Sequence, residues 1–282
     1  MSVVSTDYRV FKPAQRADFD FISLLRQHFL RPVIRIGTGL LLPVLLLGLW
    51  QLAVNQQWLP EQILPAPELV WQSLNELWQS GELQSHIAIS ASRVGWGLLI
   101  GTLIGLILGF GMGLSESFKA YLFPSFSVIS QFPVLGWIPL LIIFAGIDEA
   151  LKISAIAIAV VVPVAVNTLK GIANIPRTFF EVAKVYRFTW PQIIGKVVLP
   201  AAMPSLFNGL RQAVMQAWLT LVFVELLASS EGIGYLMVWG RQLAQLDLVI
   251  VGMVVIGAIG VTLDLALRFI EARLQTWRVS AF

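Results

Sequence analysis

The chain has 282 residues, of which 12% are charged and 57% apolar, with a formal net charge of +3 and a mean hydropathy of +0.80. Soluble chains carry about a quarter charged residues, so too few polar side chains are present to cover a water-facing surface, and much of the surface must face lipid. The basic balance fits Lys and Arg retained on cytoplasmic loops and gives no case for nucleic acid; the absence of cysteine excludes disulfides, thiolate metal sites and a cysteine nucleophile. The only histidines, His28 and His86, are too few and too far apart in sequence to argue a metal site.

A bilayer core of about 30 Å needs about 20 helical residues. Residues 1–33 read as a basic leader in which Ile22, Leu25 and Phe29 recur at helical spacing, an amphipathic segment lying along a membrane surface. Residues 34–282 read as the membrane domain, with spans over about 34–54, 94–114, 120–146, 153–169, 206–228 and 248–269. Before the second span, Val70, Leu74, Leu77 and Trp78 follow Pro67 at helical spacing and predict an interfacial helix. The third span is broken by Pro124, Pro133 and Pro139, and the fourth is short. The first is not a signal peptide, because its leader is long and no small-x-small cleavage site follows Leu52.

Charge placement orients these spans. Arg9, Lys12, Arg16, Arg26, Arg31 and Arg35 precede or open the first, whereas the next loop carries Glu61, Glu68, Glu76 and Glu82 with no basic residue before Arg93. Lys119 falls on one side and the Asp148/Glu149/Lys152 turn on the other; Lys170, Arg177, Lys184, Arg187 and Lys196 then cluster. The alternation predicts six spans with both termini cytoplasmic.

Gly97, Gly101, Gly105, Gly109 and Gly113 recur every fourth residue of the second span and predict a bare ridge against which another helix packs closely. The prolines of the third span free backbone carbonyls that only neighbouring helices or an aqueous cavity can satisfy, with Ser127, Ser130, Gln131 and Trp137 beside them. Arg211, Glu225 and Asp264 are ionisable residues inside spans, each costing about 2.5–3.5 kcal/mol at midplane, and lie near enough to span ends for snorkelling to be expected of all three. No G-x-x-x-x-G-K-[ST] string occurs, so the chain does not hold ATP by that route, and nothing marks a catalytic residue or a metal site.

The most informative stretch is the basic loop 170–204, where Pro176 presets a helix start, Trp190-Pro191 breaks that helix and a second short helix is expected to end before Pro200. This loop resembles the cytoplasmic signature of the membrane-spanning subunits of bacterial ABC importers, which reads E-A-A, three residues, G, nine residues, I-x-L-P. Glu181, Ala183, Leu199 and Pro200 fall on it without a gap, and Val197 stands for the Ile. Val182 replaces the second Ala, and Arg187 stands where the family has the Gly of the turn between two short helices. A left-handed backbone is open to Gly at no cost but not to Arg, which points to a remodelled turn. The resemblance covers about residues 64–273 and is strongest to the nitrate/sulfonate/taurine branch, in particular aliphatic-sulfonate permeases, on the strings ILPAPELV, SGELQSHIAIS, IPLLIIFAGIDEALKI and SSEGIGYLM.

The resemblance implies an all-α type I ABC importer permease in a bacterial inner membrane, not itself an enzyme and holding no cofactor. It implies a second copy of the chain, two cytoplasmic ATPase subunits that carry ATP and Mg, and a periplasmic binding protein delivering a small anion. Glu181, Val182, Ala183, Lys184, Arg187, Leu199 and Pro200 would form the ATPase-coupling loop, with Glu181 to Arg187 in the ATPase groove. Gln131, Gln212, Gln216, Trp218 and Thr220 are the neutral polar candidates for the substrate pathway. Aliphatic sulfonate is the expected solute, with taurine, nitrate or bicarbonate, or another small metabolite as alternatives. An ion-coupled transporter would need inverted repeats and midplane acidic groups, and a membrane enzyme would need converging titratable groups; neither pattern is present in the sequence.

Overall fold

The computed structural model describes residues 31–274, so the leader and its amphipathic segment lie outside the described residues. The described elements are all helical, and the chain divides into two compact units between Trp58 and Leu59. The first unit holds α1, Arg31–Asn55, with Pro43 inside it. Its apolar stretch runs over Leu41–Asn55.

The second unit contains α2 (Pro67–Gln79), α3 (Glu82–Leu114), α4 (Glu116–Ile129), a 3₁₀ turn (Val134–Trp137), α5 (Ile138–Ala145), α6 (Glu149–Ala173), α7 (Arg177–Val185), α8 (Trp190–Ile193), α9 (Leu199–Ala228), α10 (Ile233–Gln242) and α11 (Leu246–Leu274). Among the described residues, four helical stretches are long and apolar enough to cross a bilayer: α3, α6, the run from α8 through α10, and α11. The helices α4 and α5 make a fifth when taken with the turn between them, bent by 86°.

Pro67 opens α2, whose Val70, Ser73 and Leu77 are buried while Trp71 and Trp78 stay exposed. Ser73 Oγ donates to Asp247 Oδ2 at 2.6 Å and ties α2 to the first turn of α11. The α3 helix begins twelve residues before the predicted second span, so Arg93 lies inside a helix and not in the preceding loop. Its first turns are polar yet structured, because they pack against residues near the end of α9 and the start of α10. The fourth span, expected to be short, is a 25-residue helix.

The centre of the bundle is the α3–α6 contact. A methyl carbon added at Gly101 would lie 2.6 Å from the carbonyl oxygen of Ala157 and from Val160 Cβ. One at Gly105 would meet Val164 Cβ at 2.8 Å, and one at Gly113 would meet Ile172 Cδ1 at 2.7 Å; Gly97 and Gly109 stand likewise against Ile156 and Thr168. Residues on both helices advance by four together, so α3 and α6 run parallel. The chain between Leu114 and Glu149 must therefore return the full height of the bundle, which makes α4, the turn and α5 one broken span and not a re-entrant loop. Gly171 against Ser205, and Gly209 against Asn167, set α9 antiparallel to α6.

The second short helix of the 170–204 loop does not end before Pro200. A π turn, Ile194–Val198, carries α8 straight into α9, and Leu199 N–H reaches the carbonyl of Ile194. Proline lacks an amide hydrogen and crowds the carbonyl four residues back, and the widened turn accommodates Pro200 without a break.

Candidate functional site

Three features stand out in the second unit. The first is the elbow between α7 and α8. Phe188 N–H donates to Ala183 O and Arg187 N–H to Lys184 O, both at 2.9 Å, the paired bonds that close a helix with a left-handed residue after its cap. That residue is Arg187, at φ +50°. The turn is therefore kept and not remodelled: two backbone hydrogen bonds hold a conformation that costs an L-residue about 1–2 kcal/mol. Lys196 stands 5.5 Å above the Phe188 ring, and Gln192 Oε1 accepts from Thr189 N–H at 2.8 Å to start α8. Ala183 is buried, Leu199 half-buried, and Glu181, Lys184, Arg187 and Pro200 are exposed. Phe179, Val182, Val185, Tyr186 and Trp190 are large apolar side chains left exposed around the elbow.

The second is an open cavity of about 900 Å³ between the broken span, α6, α9 and α11. Ser130, Gln131, Asn167, Asn208, Gln212 and Gln216 line it beside Phe132, Val162, Val166 and Met215. Three of the five predicted pathway residues, Gln131, Gln212 and Gln216, thus meet in one space. Trp218 and Thr220 do not belong to it: Trp218 is on the far side of α9, near Gly260 of α11, and Thr220 is buried one turn beyond Gln216. Lys170, Arg211 and Asp264 also line the cavity. Arg211 Nη2 donates to Asp264 Oδ1 at 2.7 Å and Nη1 to Glu271 Oε2 at 3.3 Å, while Arg268 Nε donates to Asp264 Oδ2 at 2.8 Å. Arg211 and Asp264 pair between helices and do not snorkel, because each supplies the counter-charge that water would otherwise provide.

The third is a buried ionic node. Arg93 and Glu225 are 2% and 1% exposed and joined at 2.7 Å, so Glu225 does not snorkel either. Arg93 also grips Glu149 with two bonds, Nε to Oε2 at 2.7 Å and Nη2 to Oε1 at 2.6 Å, and Lys152 Nζ reaches Glu149 Oε1 at 2.7 Å. Ser90 Oγ donates to Glu225 Oε1 at 2.8 Å, and the Gly234 amide to Glu225 Oε2 at 2.9 Å. The Ser229–Gly234 turn folds over the pair: the Glu231 carbonyl accepts from Arg93 Nη1 at 2.7 Å, and the Gly232 amide donates to His86 Nδ1 at 3.0 Å. Sequence reasoning missed this node. Its available signals were Arg93, the first basic residue of an otherwise acidic stretch, and Glu225, an intramembrane carboxylate just before a Ser-Ser-Glu-Gly turn.

A polar cavity inside an apolar bundle, a broken span beside it and a capped elbow with an exposed apolar surface define a multi-pass membrane protein of the transport class. Residues 101–276, more than half of the chain, match the family described as the binding-protein-dependent transport system inner membrane component, and the chain belongs to that family. A Bacillus subtilis (strain 168) protein named as an aliphatic sulfonates transport permease, SsuC, is 38% identical over 242 residues, 86% of this chain and 88% of that one. The taurine transport system permease protein TauC of Escherichia coli (strain K12) is 31% identical over 237 residues, 82% and 86% of the two chains. An inward-facing structure of the MetNI methionine ABC transporter aligns with a TM-score of 0.48 at 19% identity, over 68% of this chain and 92% of that one.

Proposed function

We propose that the chain is the membrane-spanning subunit of an ATP-driven importer, and that its solute is an aliphatic sulfonate delivered by a periplasmic binding protein. Two copies would pair around the pathway, with six spans each, both termini cytoplasmic and one ATPase on each elbow. ATP and Mg would belong to the ATPases. The parallel course of α3 and α6 supports the topology, since both then enter from the acidic side and end at the basic loops. Greater identity to the SsuC protein than to TauC favours other aliphatic sulfonates over taurine, itself an aminosulfonate.

The elbow carries this reading. Residues Glu181 to Arg187 and Trp190 present charged and apolar side chains on a turn fixed by backbone bonds, as a lever docking in an ATPase groove requires. The π turn joins that lever rigidly to α9, so ATPase closure would move α9 and the cavity wall it supplies. The test is co-purification. Val182→Glu with Tyr186→Glu, both at exposed positions, should abolish association with the ATPase while the permease still purifies in normal yield. Unchanged association overturns the docking assignment.

A further inference from the structure

The cavity has a charge pattern that the neutral pathway candidates leave unexplained. Of its three charged lining residues, Arg211 and Asp264 neutralise each other, with Glu271 and Arg268 added on either side. Lys170 is exposed and has no ion-pair or hydrogen-bond partner for its ammonium among the described residues. A lysine in the last turn of a helix complements the helix dipole, but it can do so from any face in water; Lys170 is turned to the cavity.

Donors stand beside it. Asn167 is one turn before Lys170 on α6, and its Nδ2 donates to Gln212 Oε1 at 3.2 Å and to the Pro163 carbonyl at 2.8 Å. With its oxygen engaged, Gln212 keeps the two N–H donors of its amide for a ligand. Along the same cavity wall, Val166 and Val162 stand one and two turns before Lys170 on α6, and with Met215 of α9 they make that part of the lining apolar. A bare inorganic anion has no use for that wall, and a neutral apolar solute has none for the lysine.

We infer that Lys170, with Gln212, holds the anionic head of an amphiphilic organic anion, and that Val162, Val166 and Met215 receive its short apolar tail. The inference rests on the transport function proposed above and assigns the chemistry of its pathway. Because the chain contains no cysteine, Gln216→Cys supplies a single thiol in the cavity wall. With the ATPase-bound permease in proteoliposomes and no binding protein, maleimide labelling of that cysteine is followed with increasing butanesulfonate, butyrate or nitrate.

Butanesulfonate should slow labelling, and nitrate at equal concentration should not. Lys170→Gln should raise the half-protecting concentration at least about tenfold, as loss of a charged hydrogen-bonding partner does, and Lys170→Arg should stay within about threefold of the parent. Protection by butyrate equal to that by butanesulfonate supports the anchor and makes the head group carboxylate or sulfonate alike. Equal protection by nitrate overturns the tail assignment, and an unchanged Lys170→Gln curve overturns the anchor. Failure of the transport reading is separate and visible, as a parent chain that assembles with no ATPase.

Discussion

Arg93 and Glu225 stand 132 residues apart in the chain and 2.7 Å apart in space. With Glu149 bound to the other edge of the same guanidinium, α3, α6 and α9 are pinned at one point. The elbow joins the opposite ends of α6 and α9, so the bundle is clamped at one end and carries an exposed elbow at the other.

The node predicts a steep cost for removing one partner. Glu225→Ala takes from a buried guanidinium its one buried counter-ion, Glu149 being exposed, which costs about 3–5 kcal/mol. Arg93→Ala, which strands Glu225 against Ser90 and the Gly234 amide, should cost a similar amount. The double variant should fall well short of the sum, since neither charge is then left alone. Thermal unfolding of the purified chain in detergent measures all three; simple additivity would mean the pair contributes no coupling.

The ridge on α3 predicts graded effects. At Gly101 an added methyl would meet a backbone carbonyl at 2.6 Å, which cannot move away, so Gly101→Ala should destabilise by about 1–3 kcal/mol. At Gly113 the first obstacle is the tip of Ile172, a side chain that can shift, and the cost should be smaller. Gly95 has nothing within 4 Å, so Gly95→Ala should gain up to about 1 kcal/mol from helix propensity alone. Unfolding temperatures ranked Gly95→Ala above the parent, then Gly113→Ala, then Gly101→Ala would bear this out; equal values for the three would refute it.

That ridge was legible because its geometry is local: a four-residue period puts every glycine on one face whatever the rest of the chain does. The break in the third span was legible for the same reason from Pro133 and Pro139, whereas Pro124, also expected to break it, lies inside α4. The node was not, since pairing Arg93 with Glu225 depends on how α3 and α9 cross, and neither residue announces its partner. Snorkelling was a fair expectation for Arg211 and Asp264 taken singly and failed because they sit on facing helices. That Gln212 and Gln216 share a face was legible because they lie one turn apart on α9; Gln131 joins them only through the fold, and Trp218, about 200° round the helix from Gln216, does not line that cavity. Pro200 misled because a proline normally ends a helix, and only the π turn before it shows how this one continues.

Arg187 holds a left-handed turn that glycine would hold without strain. Arg187→Gly should therefore stabilise the chain by roughly 1 kcal/mol, the gain being limited by the greater freedom of glycine in the unfolded state. The same argument applies to Ala244, at φ +58° after α10, whose amide bonds the Arg241 carbonyl at 3.2 Å. Ala244→Gly is the better control, because it removes no charge. If chemical denaturation shows both substitutions destabilising, the left-handed caps are not strained.

Gly232 separates two ways in which one residue can be indispensable. Its φ of +106° is closed to other residues, and a methyl there would collide with the Glu225 carboxylate and lie 2.7 Å from Arg93 Nη1. Backbone strain of this kind costs about 1–3 kcal/mol, and the collision adds to it by pushing the ion pair apart. Gly232→Ala alone should thus destabilise by more than about 3 kcal/mol. In an Arg93→Ala, Glu225→Ala background the collision has nothing to strike, and only the strain should remain, so the penalty should fall to about 1–3 kcal/mol. A penalty equal in both backgrounds would mean that Gly232 serves the turn alone; a smaller one in the second means that the turn is shaped to close over the charges.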